Sequence, residues 1–307
     1  MMIEKIIIML IASGIGMGLI ILAGKLFNLT KEGLPFTKKR KSPFSGEFLR
    51  GPGESLRKLV EESRVDLILL MMSLFLMPIF LALLLPSPTT AQGIFDFSGM
   101  IIFAVFTIIF LFYKTYIKAK EYRNMLLGYE GEIAVGQELS QLMKDGFHVF
   151  HDLPFDGFNI DHVVIGRAGV FVVETKARAK PDTGDGRRDA RVEFNGNRLD
   201  FPDWTETKPI QQARLNAQSL SKWLGSAVGE RIAVNSVVAI PGWFVERTGK
   251  SDVSVYNGHQ KEALSLFPKQ GAQNLDEAQV KRIVHQVEAK CRDVAPNALR
   301  KKKSKYG

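Results

Sequence analysis

Three long apolar runs crowd the first part of this 307-residue chain, and they limit its folding more than any other feature. Ile6 to Ala23 carries no charge, Val65 to Leu85 is broken only by Asp66, and Ser98 to Tyr113 carries none. A helix of about 20 apolar residues crosses the hydrocarbon core of a bilayer, so each run spans one or nearly so. The third is the shortest, but Phe95, Phe97, Tyr113 and Tyr116 supply interfacial aromatics and Lys114 can reach outward along its stem. The expectation is a membrane region over residues 1–121, with spans near 6–23, 65–85 and 98–113. The first run also sits where a signal peptide would. Its leading region is barely positive and no small-residue cleavage site is evident after Ala23-Gly24-Lys25, and the two later runs anchor the chain on either reading.

Charge sets the expected orientation. Lys25, Lys31, Lys38, Lys39, Arg40, Lys41, Arg50, Arg57, Lys58 and Arg64 fill the loop 25–64, whereas Pro86 to Phe97 has no lysine or arginine. Basic loops stay on the cytoplasmic side, so this loop and everything after Tyr113 are expected in the cytoplasm, with the N-terminus outside a multi-pass inner (cell) membrane. The formal charge of +9 fits a nucleic-acid partner or an anionic lipid bilayer, and positive-inside flanks plus the tail Arg300 to Lys305 account for much of it. No run carries the cluster of mid-membrane charges that an ion or substrate pathway needs, which argues against a transporter. One cysteine, Cys291, excludes an intrachain disulfide and a cysteine-rich zinc module.

From about Met125 the composition becomes that of a soluble α/β domain with a mixed sheet, expected over residues 122–260 and followed by a C-terminal helix and basic tail, 261–307. Gly128 opens a helix with Ile133, Val135, Leu139, Leu142 and Met143 on its apolar stripe. Strands are expected at Phe147 to Leu153, Asp161 to Ile165 and Gly169 to Glu174, the last two joined by a turn at Gly166-Arg167-Ala168-Gly169. A polar loop runs from Ala179, and Arg191 to Phe201 reads as a hairpin with a two-residue turn at Asn195-Gly196. Pro209 starts a helix through Leu224; Ile232 to Ile240 and Val253 to Tyr256 are strands, and Leu275 to Cys291 is an amphipathic helix.

Within that domain, Asp161 opens one strand while Glu174 and Lys176 close the next. Alternate residues share a strand face, so Glu174 and Lys176 point the same way, and hairpin pairing can bring Asp161 beside them. Two hard oxygen ligands and an ammonium suit Mg²⁺, with Mn²⁺ as a substitute, and phosphate chemistry. An isolated Glu-x-Lys is more often a solvent-facing ion pair, and Glu132 can equally serve its helix dipole. His148 and His151, three apart on a strand, face opposite sides and make a poor metal pair; His162 turns away from Asp161. Trp204, Trp223 and Trp243 can stack on bases or pack in a core.

Taken in order, Gly128-x-x-Gly131-Glu132, Ile160-Asp161-His162-Val163-Val164-Ile165, Gly169 to Lys176, and Pro209-Ile210-Gln211-Gln212-Ala213-Arg214 resemble the successive signatures of the nuclease-related domain, NERD, of the PD-(D/E)XK nuclease superfamily. The resemblance implies a restriction-endonuclease-like core. It implies that Asp161, Glu174 and the carbonyl of Thr175 ligate a divalent ion, that Glu132 completes or orients the metal shell, that Lys176 positions the attacking water, and that Gln212 fills an auxiliary polar position. The expected function is a membrane-anchored, Mg²⁺-dependent nuclease, on DNA rather than RNA, in defence against foreign DNA or in DNA processing. The basic stretch 177–190 after Lys176 is longer than the short glycine turn the resemblance implies, and fits either a grip on a nucleic-acid backbone or a solvated insertion. The competing class is a membrane scaffold whose degenerate nuclease fold only binds nucleic acid or a protein partner.

Overall fold

A computed structural model describes residues 46–84, 91–270 and 274–295. The expected first span, most of the basic loop and the tail lie outside these residues. The chain divides into two compact units, one holding Glu61–Arg123 and the other Phe48–Val60 with Asn124–Val294.

In chain order the elements are β1 (Phe48–Leu49), α1 (Glu54–Leu84), α2 (Ala91–Ser140) with a 3-10 turn (Gln141–Asp145), β2 (His148–Phe155), β3 (Phe158–Gly166), β4 (Gly169–Thr175) and the short α3 (Gly186–Asp189). There follow β5 (Arg191–Phe194), β6 (Leu199–Asp200), β7 (Thr205–Glu206), α4 (Lys208–Val228), β8 (Val234–Ala239), β9 (Phe244–Arg247), β10 (Val253–Tyr256), α5 (Gln260–Gln270), α6 (Glu277–Cys291) and β11 (Arg292–Val294).

The three-span expectation is corrected only in part, since its first span lies outside the described residues. Among the described residues one helix, Gly93–Asp145, is long and apolar enough to cross a membrane, by length and composition alone. Its apolar stretch leaves large side chains uncovered by protein, with Ile102 71% and Phe106 68% exposed. The second expected span lies in α1, whose first turns carry Glu54, Arg57, Lys58, Glu61, Glu62, Arg64 and Asp66 and whose interior holds Pro78. A second correction concerns Gly128, which does not start a helix. No proline or turn cluster interrupts Lys114 to Leu127, so the helix that begins at Ala91 continues unbroken through both glycines.

The second unit is built on a five-stranded sheet of order β10-β8-β4-β3-β2. Strands β2, β3 and β4 form an antiparallel meander, and β4, β8 and β10 run parallel. The meander's turns are two-residue hairpins, Asp156-Gly157 with Gly157 at φ 80° and Arg167-Ala168 with Gly169 at φ 126°. Central strands are apolar on both sides because helices cover both faces. Val163, Ile165, Val170 and Val172 pack beneath α4 and α6, while Val164, Phe171 and Val173 pack against Val135, Leu139 and Phe267 of α2 and α5. A smaller sheet, β7-β6-β5-β9, has its own core of Val192, Phe194, Leu199, Phe201 and Trp243. Its β5–β6 connection differs from the expected two-residue turn: Phe194 pairs with Leu199, and the Asn195 side chain accepts the N–H groups of Asn197 and Arg198 to brace a longer loop.

Candidate active site

The β3–β4 ladder ends at His162 opposite Val173. Just beyond, the Asp161 carboxylate takes the place of a backbone partner: its Oδ2 accepts the Thr175 N–H at 2.7 Å. Strand β4 is carried one residue further by its other neighbour, since the Lys176 N–H donates to the Ala239 carbonyl at 2.9 Å. That extension preserves the alternation, and Glu174 and Lys176 do emerge on one face. Lys176 Nζ lies 2.5 Å from Glu174 Oε1 as an ion pair. Oε1 is buried and has the Lys176 ammonium as its partner. Oε2 of Glu174 accepts from Asn216 Nδ2 at 2.8 Å.

Glu132 reaches this neighbourhood because α2 comes very near the end of β4. A β-carbon at Gly131 would stand 2.5 Å from that of Ala177, so only glycine allows the approach. Glu132 is itself buried at 8% exposure. Burial, with the charges of Asp152 and Glu174, pushes its carboxyl up to about 8, against the opposing pull of Lys176. Asp161 is raised well above the usual carboxylate range by burial and by Glu174 and Glu132, and burial also raises Glu174 against the pull of Lys176. Burial would discharge Lys176, but Glu174 and Asp161 outweigh it and raise its pKa. Three crowded carboxyls therefore share one ammonium, an arrangement that favours taking up protons or a cation.

The opposite face of the same strand end is neutral. Thr175 Oγ1 meets His162 Nε2 at 3.1 Å, His162 Nδ1 meets His151 Nδ1 at 2.9 Å, and His151 Nε2 meets Ser140 Oγ at 3.4 Å. Ser140 in turn donates to the Gly136 carbonyl at 2.7 Å. One proton arrangement satisfies the whole chain: threonine donates to His162, His162 to His151, His151 to serine. Burial holds both imidazoles neutral, His151 down to about 4 and His162 well below its ordinary value. His162 thus faces away from Asp161 as expected, with a definite partner.

Gln212 is half-buried on α4, and the contact to Glu174 comes from Asn216, one turn later. The signal was an asparagine inside the buried stripe Ile210, Ala213, Ala217, Leu220, where a polar side chain needs a partner. Of the basic residues around the 177–190 stretch, Arg178 is held bidentately by Glu206 at 2.7 Å, and Arg191 is paired with Glu246. The loop is braced by Asp189, which accepts from Thr183 Oγ1 and N at 2.6 and 2.8 Å. Trp243 is a core residue whose Nε1 donates to the Arg178 carbonyl, and Trp204 stacks on Phe201.

Among the described residues no three His, Cys, Asp or Glu side chains converge as a ready-made metal cage. Mg²⁺ keeps several waters and needs only one or two carboxylates, and Asp161 and Glu174 supply hard oxygens of that kind.

Residues 127–241 match the family model of the nuclease-related domain, under half of the chain. Every residue named here as a site carboxylate, with Lys176, Gln212 and Asn216, falls inside the matched segment. Comparison with curated proteins and with solved structures yields no match.

Proposed function

We propose that this nuclease-related domain hydrolyses phosphodiester bonds of nucleic acid, DNA in preference to RNA, with the help of a divalent cation. The observation that carries the reading is the buried Glu174–Lys176 ion pair with Asp161 locked beside it through the Thr175 N–H. Asp161, Glu174 and the Thr175 carbonyl would hold Mg²⁺ or Mn²⁺, with Glu132 orienting or completing the shell. When bound, the cation supplies Lewis-acid polarisation of a phosphate and acidifies water.

The rest is done by the chain itself. Lys176, kept charged by two carboxylates, offers an ammonium to a phosphate oxygen and to the incoming water. Asn216 fixes one oxygen of Glu174 and so leaves the other directed at Lys176. Glu132, its carboxyl raised by burial and by the charges of Asp152 and Glu174, stands where it can orient or complete the metal shell. Membrane attachment is proposed through the apolar part of α2. Its trailing Lys114, Lys118, Lys120 and Arg123 favour a cytoplasmic domain by the positive-inside rule, where defence against foreign DNA or DNA processing are fitting roles.

A second reading is favoured by one feature. Asp161 and Glu174 already spend their oxygens on Thr175, Asn216 and Lys176, as a degenerate scaffold that binds nucleic acid or protein without cutting would allow. The test is cleavage of single- and double-stranded DNA and RNA by the full chain in detergent micelles, with Mg²⁺ or Mn²⁺ and with chelator. The nuclease reading expects metal-dependent cleavage that Asp161→Ala and Lys176→Ala abolish. Cleavage untouched by both substitutions rejects the assignment, and binding without cleavage selects the scaffold.

A further inference from the structure

Upstream of the matched segment, the turn Arg50-Gly51-Pro52-Gly53-Glu54-Ser55 packs into the same unit as the site. Its anchor is Asp152. The Oδ2 atom of Asp152 accepts from Ser55 N at 3.0 Å, Ser55 Oγ at 2.7 Å and Arg50 NH1 at 2.8 Å. Arg50 also forms a bidentate pair with Asp293 at 2.7 Å, and its N–H donates to the Cys291 carbonyl at 3.0 Å. Asn159 donates to Ser55 Oγ at 2.9 Å. The turn is wedged against α2: a β-carbon at Gly136 would lie 2.6 Å from Pro52 Cβ, and one at Gly53, whose φ is 67°, would lie 3.5 Å from Glu132 Oε2.

Asp152 is no ordinary strand residue. Its φ of 50° makes it the one non-glycine residue with positive φ among the described residues. The β2–β3 register pairs His151 with His162 and Leu153 with Ile160, and skips the pair between them, Asp152 and Asp161. Phe150 and Leu153 both bury in the core beneath α4 and α6, as do Ile160 and Val163, although residues three apart on a regular strand face opposite ways. Both strands therefore reverse their facing at this point, as at a bulge. A left-handed aspartate is sustained only where its surroundings hold it, and here the holders are Ser55 and Arg50.

We propose that the Arg50–Ser55 turn is a positioning element of the carboxylate site: by fixing Asp152 it holds the β2–β3 kink that presents Asp161 to Thr175 and Glu174, and it closes over Glu132. Its consequence for turnover rests on the nuclease reading; its geometric part does not. The Thr175 N–H reports that part directly, because it is bonded to Asp161 Oδ2.

The experiment is hydrogen–deuterium exchange on the full chain in detergent micelles, read on fragments that resolve Thr175, beside unfolding followed by tryptophan emission and DNA cleavage with Mn²⁺. All three tryptophans lie in the Asn124–Val294 segment, so the emission reports this unit. Ser55→Ala is expected to speed Thr175 exchange about tenfold or more and to lower kcat with KM unchanged, and Ser55→Thr to restore both. Asp293→Asn, which cuts the other arm of Arg50, is expected to loosen 48–51 and 291–294 while sparing Thr175. Thr175 exchange unchanged in Ser55→Ala overturns the proposal. So does equal acceleration by Asp293→Asn, because the turn would then merely hold the fold. Accelerated exchange in a protein that never cleaves DNA supports the positioning role and sinks the nuclease reading alone.

Discussion

The two faces of one strand end make opposite use of buried polarity. On one side of β4, Glu174 pairs with Lys176 near Asp161 and Glu132, and every carboxyl is pushed toward its protonated form. On the other side, Thr175, His162, His151 and Ser140 form a closed series in which each donor meets an acceptor. The neutral chain costs little because nothing in it is charged and its polar atoms are paired. Crowded carboxyls and satisfied imidazoles are two different ways of burying polarity at one strand end.

Breaking the charged face should produce the largest effect. Lys176→Met keeps the stem and removes the ammonium, so cleavage should drop about 10²- to 10⁴-fold, the span typical of removing a positioned acid, base or charge stabiliser. Initial rates on a labelled duplex with Mn²⁺ check it. A fall of less than threefold would return Lys176 to the status of a buried counter-ion.

Glu132→Gln sharpens the contrast through pH. With a folded pKa of about 8 and an unfolded one near 4.5, the folded state binds the extra proton between those values. Stability contributed by this group is therefore complete below pH 4.5 and is lost as pH rises toward 8. Glutamine cannot ionise, so the variant should gain on the wild type by a few kcal/mol between pH 5 and 8, an order-of-magnitude figure from the shift. Urea unfolding of the full chain by tryptophan emission at both pH values measures it, and a constant difference would mean that Glu132 is ionised throughout.

How much of this could be read from the residues alone follows from the range of the interactions. Alternation placed Glu174 and Lys176 on one face, and β-branched runs flanking Gly166 and Gly169 gave the β3–β4 hairpin, because both signals are local. The apolar stripe of α4 was equally plain. What escaped was set by contacts distant in the chain: Asp152 opposite Asp161, Ser55 reaching Asp152, Asn216 reaching Glu174. The unbroken α2 escaped for another reason. Gly128 and Gly131 read as a helix start, whereas Gly131 is required by the approach of Ala177. The exposed apolar length of α2 was legible.

The neutral face should respond in stability before activity. His162→Phe fills the space but strands the hydroxyl of Thr175 and Nδ1 of His151, both inside the protein. Unsatisfied buried groups cost about 1–3 kcal/mol each, though Thr175 can rotate, so a loss of about 2 kcal/mol is expected. His162→Gln, which can still bond Thr175, should recover part of it. Equal losses in the two variants would show that ring packing, and not the hydrogen-bond chain, is what His162 provides.

The smallest effect is expected at the outer end of that chain. Ser140 lies 3.4 Å from His151 Nε2, the longest contact in the series, and its own proton is given to the Gly136 carbonyl, which the helix already uses. Removing the hydroxyl in Ser140→Ala deprives His151 of one long acceptor and improves helix propensity at the last turn of α2. The two nearly cancel, giving a change below about 1 kcal/mol, within the range of a weak neutral hydrogen bond. Combining it with His162→Phe separates two views of the chain. If the four residues act as one polarised series, the double variant should lose less than the sum of the single losses, because His151 has already lost its alignment. Strict additivity would reduce the series to neighbours that happen to touch, and the contrast between the two faces of β4 would then rest on charge alone.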